Sequence, residues 1–190
     1  MNSCSSLWIH YFSGTGNALS ACRWIAENAR GRGMDAHIRA IDRFARRGIA
    51  KPPEGTLLGF AYPTHGFAPP WYMLKFMLCF PRGRNPVFLL NTRAGLKIGG
   101  WNTPGLSGLA LLLPMLILLL KGYRVTGLMS LDMPSNWISL HPGLFPGVVE
   151  FIVQKCHGKI DRFSEKIING RLVLPWYVPV FLPLDLAVSP

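Results

Sequence analysis

Acidic side chains are missing from the middle of this chain: none stands between Glu54 and Asp132, while Lys75, Arg82, Arg84, Arg93, Lys97, Lys121 and Arg124 all do. Over the full length, 20 Lys and Arg oppose 9 Asp and Glu, for a formal net charge of +11. A field of one sign attracts acidic partners. The partner classes to weigh are an acidic redox protein, an anionic membrane surface and nucleic acid, although no motif specific for nucleic acid accompanies the charge. Cysteine is scarce as well. Cys4, Cys22, Cys79 and Cys156 never fall at a C-x-x-C or other ligand spacing, which excludes a locally encoded iron–sulfur or zinc site. Cys22 and Cys156 lie on apolar helix faces and are expected to be small core residues in reducing surroundings.

Catalytic signatures are absent too. The chain has no G-x-S-x-G elbow, no H-E-x-x-H pair and no cluster of carboxylates, so no local motif supplies a nucleophile and its base. It does not open with a charged n-region, an apolar h-region and a cleavage site, and a cytoplasmic location is the expectation. The most apolar run, 106–120, contains Gly108 and Pro114 and is shorter than the ~20 residues that cross a bilayer. It is expected to be a helix packed on a sheet. No internal repeat and no low-complexity tract was found.

What is present begins at the N-terminus. Tyr11-Phe12-Ser13-Gly14-Thr15-Gly16-Asn17 follows the apolar run 7–12 and opens a helix-patterned segment, 18–30. A strand leading through glycines and hydroxyls into a helix is a phosphate cradle: the backbone can approach an anion, Ser13 and Thr15 offer hydroxyls, and the helix N-terminus favours negative charge. Gly16 is followed by Asn17-Ala18 rather than Lys-Ser/Thr, so this is not a nucleoside triphosphate loop. Leu19 stands where a dinucleotide fingerprint has its third glycine, and a single terminal phosphate suits the turn better.

Further along, 34–41 alternates as a strand, 42–55 reads as a short helix plus loop, and 56–62 is apolar throughout, as a doubly buried strand would be. Pro63, Thr64, His65, Gly66, Phe67 and Ala68 form its exit loop. A helix is expected over 71–80, started by Pro69-Pro70 and ended by Pro81. The strand 86–91 then leads to a second exit loop, Thr92-Arg93-Ala94-Gly95, which continues through 99–102. A fifth strand over 123–131 exits through Asp132-Met133-Pro134-Ser135-Asn136-Trp137. Apolar residues at spacings of three and four predict a long closing helix over 146–168. The tail 172–190 is apolar, with Pro175, Pro179 and Pro183 evenly placed, and suits neither a helix nor a central strand.

The loop Ser13-Gly14-Thr15-Gly16-Asn17, directly after a first strand, resembles the phosphate loop of the flavodoxin family, with Ala18 where a further Ser or Thr is usual. Together with Tyr62-Pro63 and Met133-Pro134-Ser135-Asn136, it resembles the flavodoxin half of bacterial proteins that fuse this unit to a ferredoxin-type segment carrying two [4Fe–4S] clusters. The cysteine-rich segment is not found within these 190 residues. The resemblance implies an α/β, doubly wound five-stranded parallel sheet in the order 2-1-3-4-5 with helices on both faces. The unit would occupy 1–170, and 171–190 would be a tail that docks or leads to a further segment.

The resemblance also implies flavin mononucleotide (FMN) as cofactor and electron transfer as function, while the basic charge, a departure from ordinary acidic flavodoxins, points to an acidic redox partner such as a ferredoxin-type protein or domain. Rival readings are an FMN-dependent quinone or small-molecule reductase and a flavin-free interaction module. Ser13, Gly14, Thr15, Gly16, Asn17 and Ala18 would hold the phosphate. Pro63, Thr64, His65, Gly66 and Phe67, with Asn91, Thr92, Arg93, Ala94 and Gly95, would surround the ring. Phe67 and Trp101 are candidates to stack on it, and Asn136 to reach it from the fifth loop. Arg93 and Lys97 would place positive charge beside the ring, from which a higher reduction potential than an acidic flavodoxin's is expected.

Overall fold

The computed structural model describes residues 4–41, 49–66, 68–98, 101–103, 108–135 and 144–174, with the backbone alone for 95–98, 101–103 and 108. Five strands pair in parallel: β1 (Ser6–Tyr11), β2 (Asp35–Ala40), β3 (Thr56–Pro63), β4 (Pro86–Ile98) and a sixth in chain order, β6 (Arg124–Pro134). Their spatial order is β2-β1-β3-β4-β6, the order expected from the sequence. A short strand, β5 (Trp101–Thr103), adds antiparallel to the far end of β4.

Helices cover both faces. On one side lie α1 (Asn17–Arg30) and α4 (Pro146–Ile168), which bury Ile25, Ala29, Ile160 and Phe163 against Leu57, Phe88 and Leu90. On the other lie α2 (Trp71–Cys79) and α3 (Leu112–Leu120), against Phe60, Tyr62, Val87 and Leu89. Successive residues of β4 thus serve opposite cores, the strand period of two. This is why β3 and β4 read as unbroken apolar runs.

Several element boundaries differ from the sequence expectation. Residues 42–48 lie outside the described residues, so the helix expected there is not addressed. The described residues of the apolar run 106–120 form a 3-10 turn (Gly108–Ala110) and then α3, with Pro114 in the first helical turn. There its missing N–H costs no hydrogen bond. The beginning of the tail also joins the sheet: Val173 exchanges backbone bonds with Thr126 and Leu128 at 2.9 Å each, along the free edge of β6.

One cross-sheet row sets the packing. Phe88 on β4 lies between Gly59 on β3 and Gly127 on β6 in register. A shift between Val87 and Phe88 skips Thr126 and brings Gly127 opposite the ring. A Cβ on Gly59 would sit 2.3 Å from the Phe88 ring, and one on Gly127 2.9 Å from Ile167. Phe163 holds the Phe88 ring edge-on at 5.8 Å from above, so the ring has nowhere to move. Gly59→Ala should therefore destabilise the fold by about 1–3 kcal/mol despite alanine's better strand propensity, measured by urea unfolding.

The opposite core encloses a titratable group. His10 is buried among the rings of Phe60, Phe76 and Phe80, with centroids 5.1–5.7 Å away. Its Nε2 has no partner among the described residues. Burial, and secondarily the charge of Arg39, push its pKa down from 6.5 to about 4. Above the unfolded value both states are neutral and nothing is lost. As pH falls from 6.5 toward about 4, the unfolded chain takes up a proton that the folded chain refuses, and stability drops by up to about 3 kcal/mol. His10→Phe should flatten this acid limb of a stability-versus-pH curve.

Candidate functional site

The chain leaves β1 at Phe12, whose N–H still donates to the Ala61 carbonyl at 2.9 Å, and turns through Ser13, Gly14, Thr15 and Gly16 into α1. Gly16 is the N-cap residue at φ 90°, a left-handed conformation that costs glycine little. Ser13 Oγ accepts the Gly16 N–H at 3.1 Å and closes the loop on itself. No side chain caps α1, and its first turn, which includes Asn17 and Ala18, has no acidic residue. A helix start leaves N–H groups without an internal partner, and the space over the two glycines of the loop is clear: a Cβ on Gly14 or Gly16 would find nothing within 4 Å. Such a turn is built to receive an anion.

Contacts on two sides fix this cradle. Asn17 Nδ2 donates to the Pro134 carbonyl at the end of β6, 3.1 Å away. On the other side Phe12 packs on His65, 6.2 Å between centroids, and on Tyr72 of α2, 5.9 Å. His65 belongs to the loop after β3. There Pro63 ends the strand, Thr64 N–H donates to the Thr92 carbonyl at 2.8 Å, and His65 and Ala68 exchange backbone bonds at 2.9 and 3.0 Å around Gly66, at φ 54°. The cradle and this loop are thus brought together. Phe67 and Asn136 lie outside the described residues. Trp101 pairs through its backbone with Ile98 in β5.

The second loop is a correction. Thr92, Arg93, Ala94 and Gly95 do not leave the sheet after residue 91: they continue β4, in register with Leu131, Asp132, Met133 and Pro134 of β6. The fifth strand likewise runs on to Pro134. A buried ion pair accounts for the extension. Arg93 Nε lies 2.6 Å from Asp132 Oδ1, with side chains only 8% and 4% exposed, and Lys159 Nζ of α4 approaches the other carboxylate oxygen at 3.4 Å. The first acid after the acid-free stretch therefore engages the cation expected to stand free beside a ligand.

Asn91, one position earlier, is fully buried between its register partners Tyr62 and Ser130. Its Oδ1 accepts the Ser130 hydroxyl at 2.6 Å, while Nδ2 has no partner among the described residues. A buried amide donor left this way costs about 1–3 kcal/mol.

A cleft of 550 Å³ opens beside the cradle, lined by Thr15, Asn17, Ser20, Trp24, Pro134 and Val149 among others. Pro134 belongs to the fifth exit region expected from the sequence, whereas Ser20 and Trp24 were not anticipated. The signal was the spacing Asn17, Ser20, Trp24, three and four apart, which puts all three on one face of α1. The thiols take no part. Cys22 and Cys156 are buried, as expected, and burial pushes Cys156 up to about 11; its Sγ donates to the Asp132 carbonyl at 3.2 Å. No group of His, Cys, Asp or Glu suited to a metal ion occurs among the described residues, nor does any helix there that is long and apolar enough to cross a membrane.

No family model and no curated protein sequence matches the chain. Solved structures do match its fold. Rubredoxin oxygen:oxidoreductase from the anaerobe Desulfovibrio gigas superimposes with a TM-score of 0.59 at 11% identity, over 96% of this chain and 37% of that one. Oxidised flavodoxin 2 from Bacillus cereus gives 0.55 at 15% identity, over 85% and 99%. A flavodoxin from the domain Archaea gives 0.54 at 14%, over 85% and 98%. The chain has the flavodoxin-like fold, and it spans little more than a third of the Desulfovibrio enzyme.

Because Asp132 keeps Lys159 when Arg93 is lost, Arg93→Met should cost about 3 kcal/mol. Arg93→Met with Asp132→Asn should cost less than the two single changes added together. Urea unfolding of the four forms of this cycle gives the coupling directly.

Proposed function

We propose that this chain binds FMN and carries electrons. The observation that carries the reading is the uncapped start of α1 at a left-handed Gly16, with clear space over both glycines of the loop. The residues present fit the group. Gly14, Thr15, Asn17 and Ala18 would present backbone N–H groups to the phosphate, while Ser13, which already accepts the Gly16 N–H, would hold the loop's shape. The loop Pro63 to Gly66 and the strand positions Asn91 and Thr92 would border the ring, with the unpartnered Asn91 amide a donor for a polar edge.

Bound there, the flavin supplies the electron chemistry. The protein's part is to bind, orient and shield it. Rigid β4 and β6, locked by Arg93 and Asp132, would fix one wall, and the His65–Ala68 turn the other. An acidic redox partner, such as a ferredoxin-type protein or domain, suits a chain of net charge +11.

If the loop holds a phosphate, riboflavin should bind at least about a hundredfold more weakly than FMN, the worth of two charge-assisted hydrogen bonds. Gly16→Val puts a branched side chain at φ 90° and into the cradle, and should erase that preference while the helical circular dichroism persists. Equal affinity for riboflavin and FMN, or a protein that takes up neither, would overturn the reading. Fluorescence titration of the purified protein measures both.

A further inference from the structure

The α2–α3 layer carries a feature that electron transfer does not use. Every residue of α3 is apolar, a composition that belongs either inside a protein or in lipid. Yet only Pro114 and Leu118 of the helix are buried, while Leu116, Leu119 and Leu120 are 52%, 48% and 68% exposed. Leu78, near the end of α2, is 54% exposed.

These leucines converge with cations at the helix C-termini. Lys121 Nζ donates to the Leu78 carbonyl at 2.9 Å, and Arg82 donates to the Leu120 carbonyl at 3.5 Å. Helices of such a fold run opposite to the strands, so this corner lies at the amino end of the sheet, away from the cradle.

A cavity of 860 Å³ adjoins the corner, lined by five cations, Lys51, Arg82, Arg84, Lys121 and Arg124, against Glu54 alone. Among the described residues none of the five is in an ion pair. Burial, and then the proximity of Arg82, pull the pKa of Lys121 down. Cations crowded without a counter-ion favour an anion between them.

We propose that this corner is a docking face for an anionic lipid bilayer, with the leucines of α3 and α2 entering the headgroup layer and the cation-lined cavity taking lipid phosphate. Aliphatic side chains beside five cations and one carboxylate, with no acidic residue on either helix, are what a bilayer surface recognises. Leucine, by contrast, is under-represented among the residues that anchor protein interfaces. The proposal is independent of the flavin reading.

The test is sedimentation of the full chain with vesicles of phosphatidylcholine alone and of phosphatidylcholine mixed with phosphatidylglycerol. Binding to the mixed vesicles should be at least about tenfold tighter than to the neutral ones. Leu116→Ser with Leu120→Ser should weaken it by about tenfold or more, and Lys121→Gln by about fivefold. The melting temperature should hold, since the leucine side chains are exposed. Phe145→Ser, exposed at the start of α4 and so at the opposite end of the sheet, should leave binding unchanged. Failure to bind anionic vesicles, or equal binding to neutral ones, would overturn the proposal. So would binding untouched by the α3 changes, which would place the attachment elsewhere, or binding that responds to salt alone, the mark of a face for an acidic protein.

Discussion

The pairing of β4 with β6 beyond Asn91 is the constraint on which the rest of the functional end depends. In the middle of the sheet the two strands are held by apolar packing, with Phe88 wedged between two glycines. Past Asn91 the residues of β4 turn polar, and the buried ion pair of Arg93 with Asp132, braced by Lys159, joins the buried Leu131 and Met133 of β6 in holding the pair. Breaking such a pair leaves a charge in a dry place, so it holds the register more firmly than its net contribution to stability suggests. With β6 carried to Pro134, that carbonyl is in position to receive Asn17, and the cradle is tied to the far side of the sheet.

The order of elements was legible because it rests on patterns that tertiary context seldom overrides. The short apolar runs of β3 and β4, bounded by Gly and Pro, the 3.6-residue period of α4 and the glycine-bearing turn before α1 are signals of this kind. What could not be read was the extent of strands whose ends are polar. Thr92, Arg93, Ala94 and Gly95 carry the composition of a loop. They are strand because a carboxylate far along the chain, Asp132, faces them in the register. Local sequence holds no trace of that pairing.

The charge asymmetry was also only half legible. The stretch without acids predicted free cations around a ligand, and Arg93 is instead satisfied by the acid that closes the stretch. Among the described residues, Arg82, Arg84, Lys121 and Arg124 make no ion pair and lie at the other end, where Arg82 and Lys121 lean on the carbonyls that finish α3 and α2. The molecule thus has two ends of different character. One offers backbone N–H groups and one buried amide at the carboxyl ends of the strands, and the other offers leucines and basic side chains at the amino ends.

The central claim is that the turn before α1 receives the phosphate of a flavin, and amide chemical shifts during an FMN titration test it most directly. The largest changes should fall on the backbone amides of Gly14, Thr15, Gly16, Asn17 and Ala18, with smaller ones at Thr64, His65 and the Asn91 side-chain amide, and riboflavin should leave the first group unmoved. Shifts confined to other parts of the chain, or none at saturating FMN, would contradict the account.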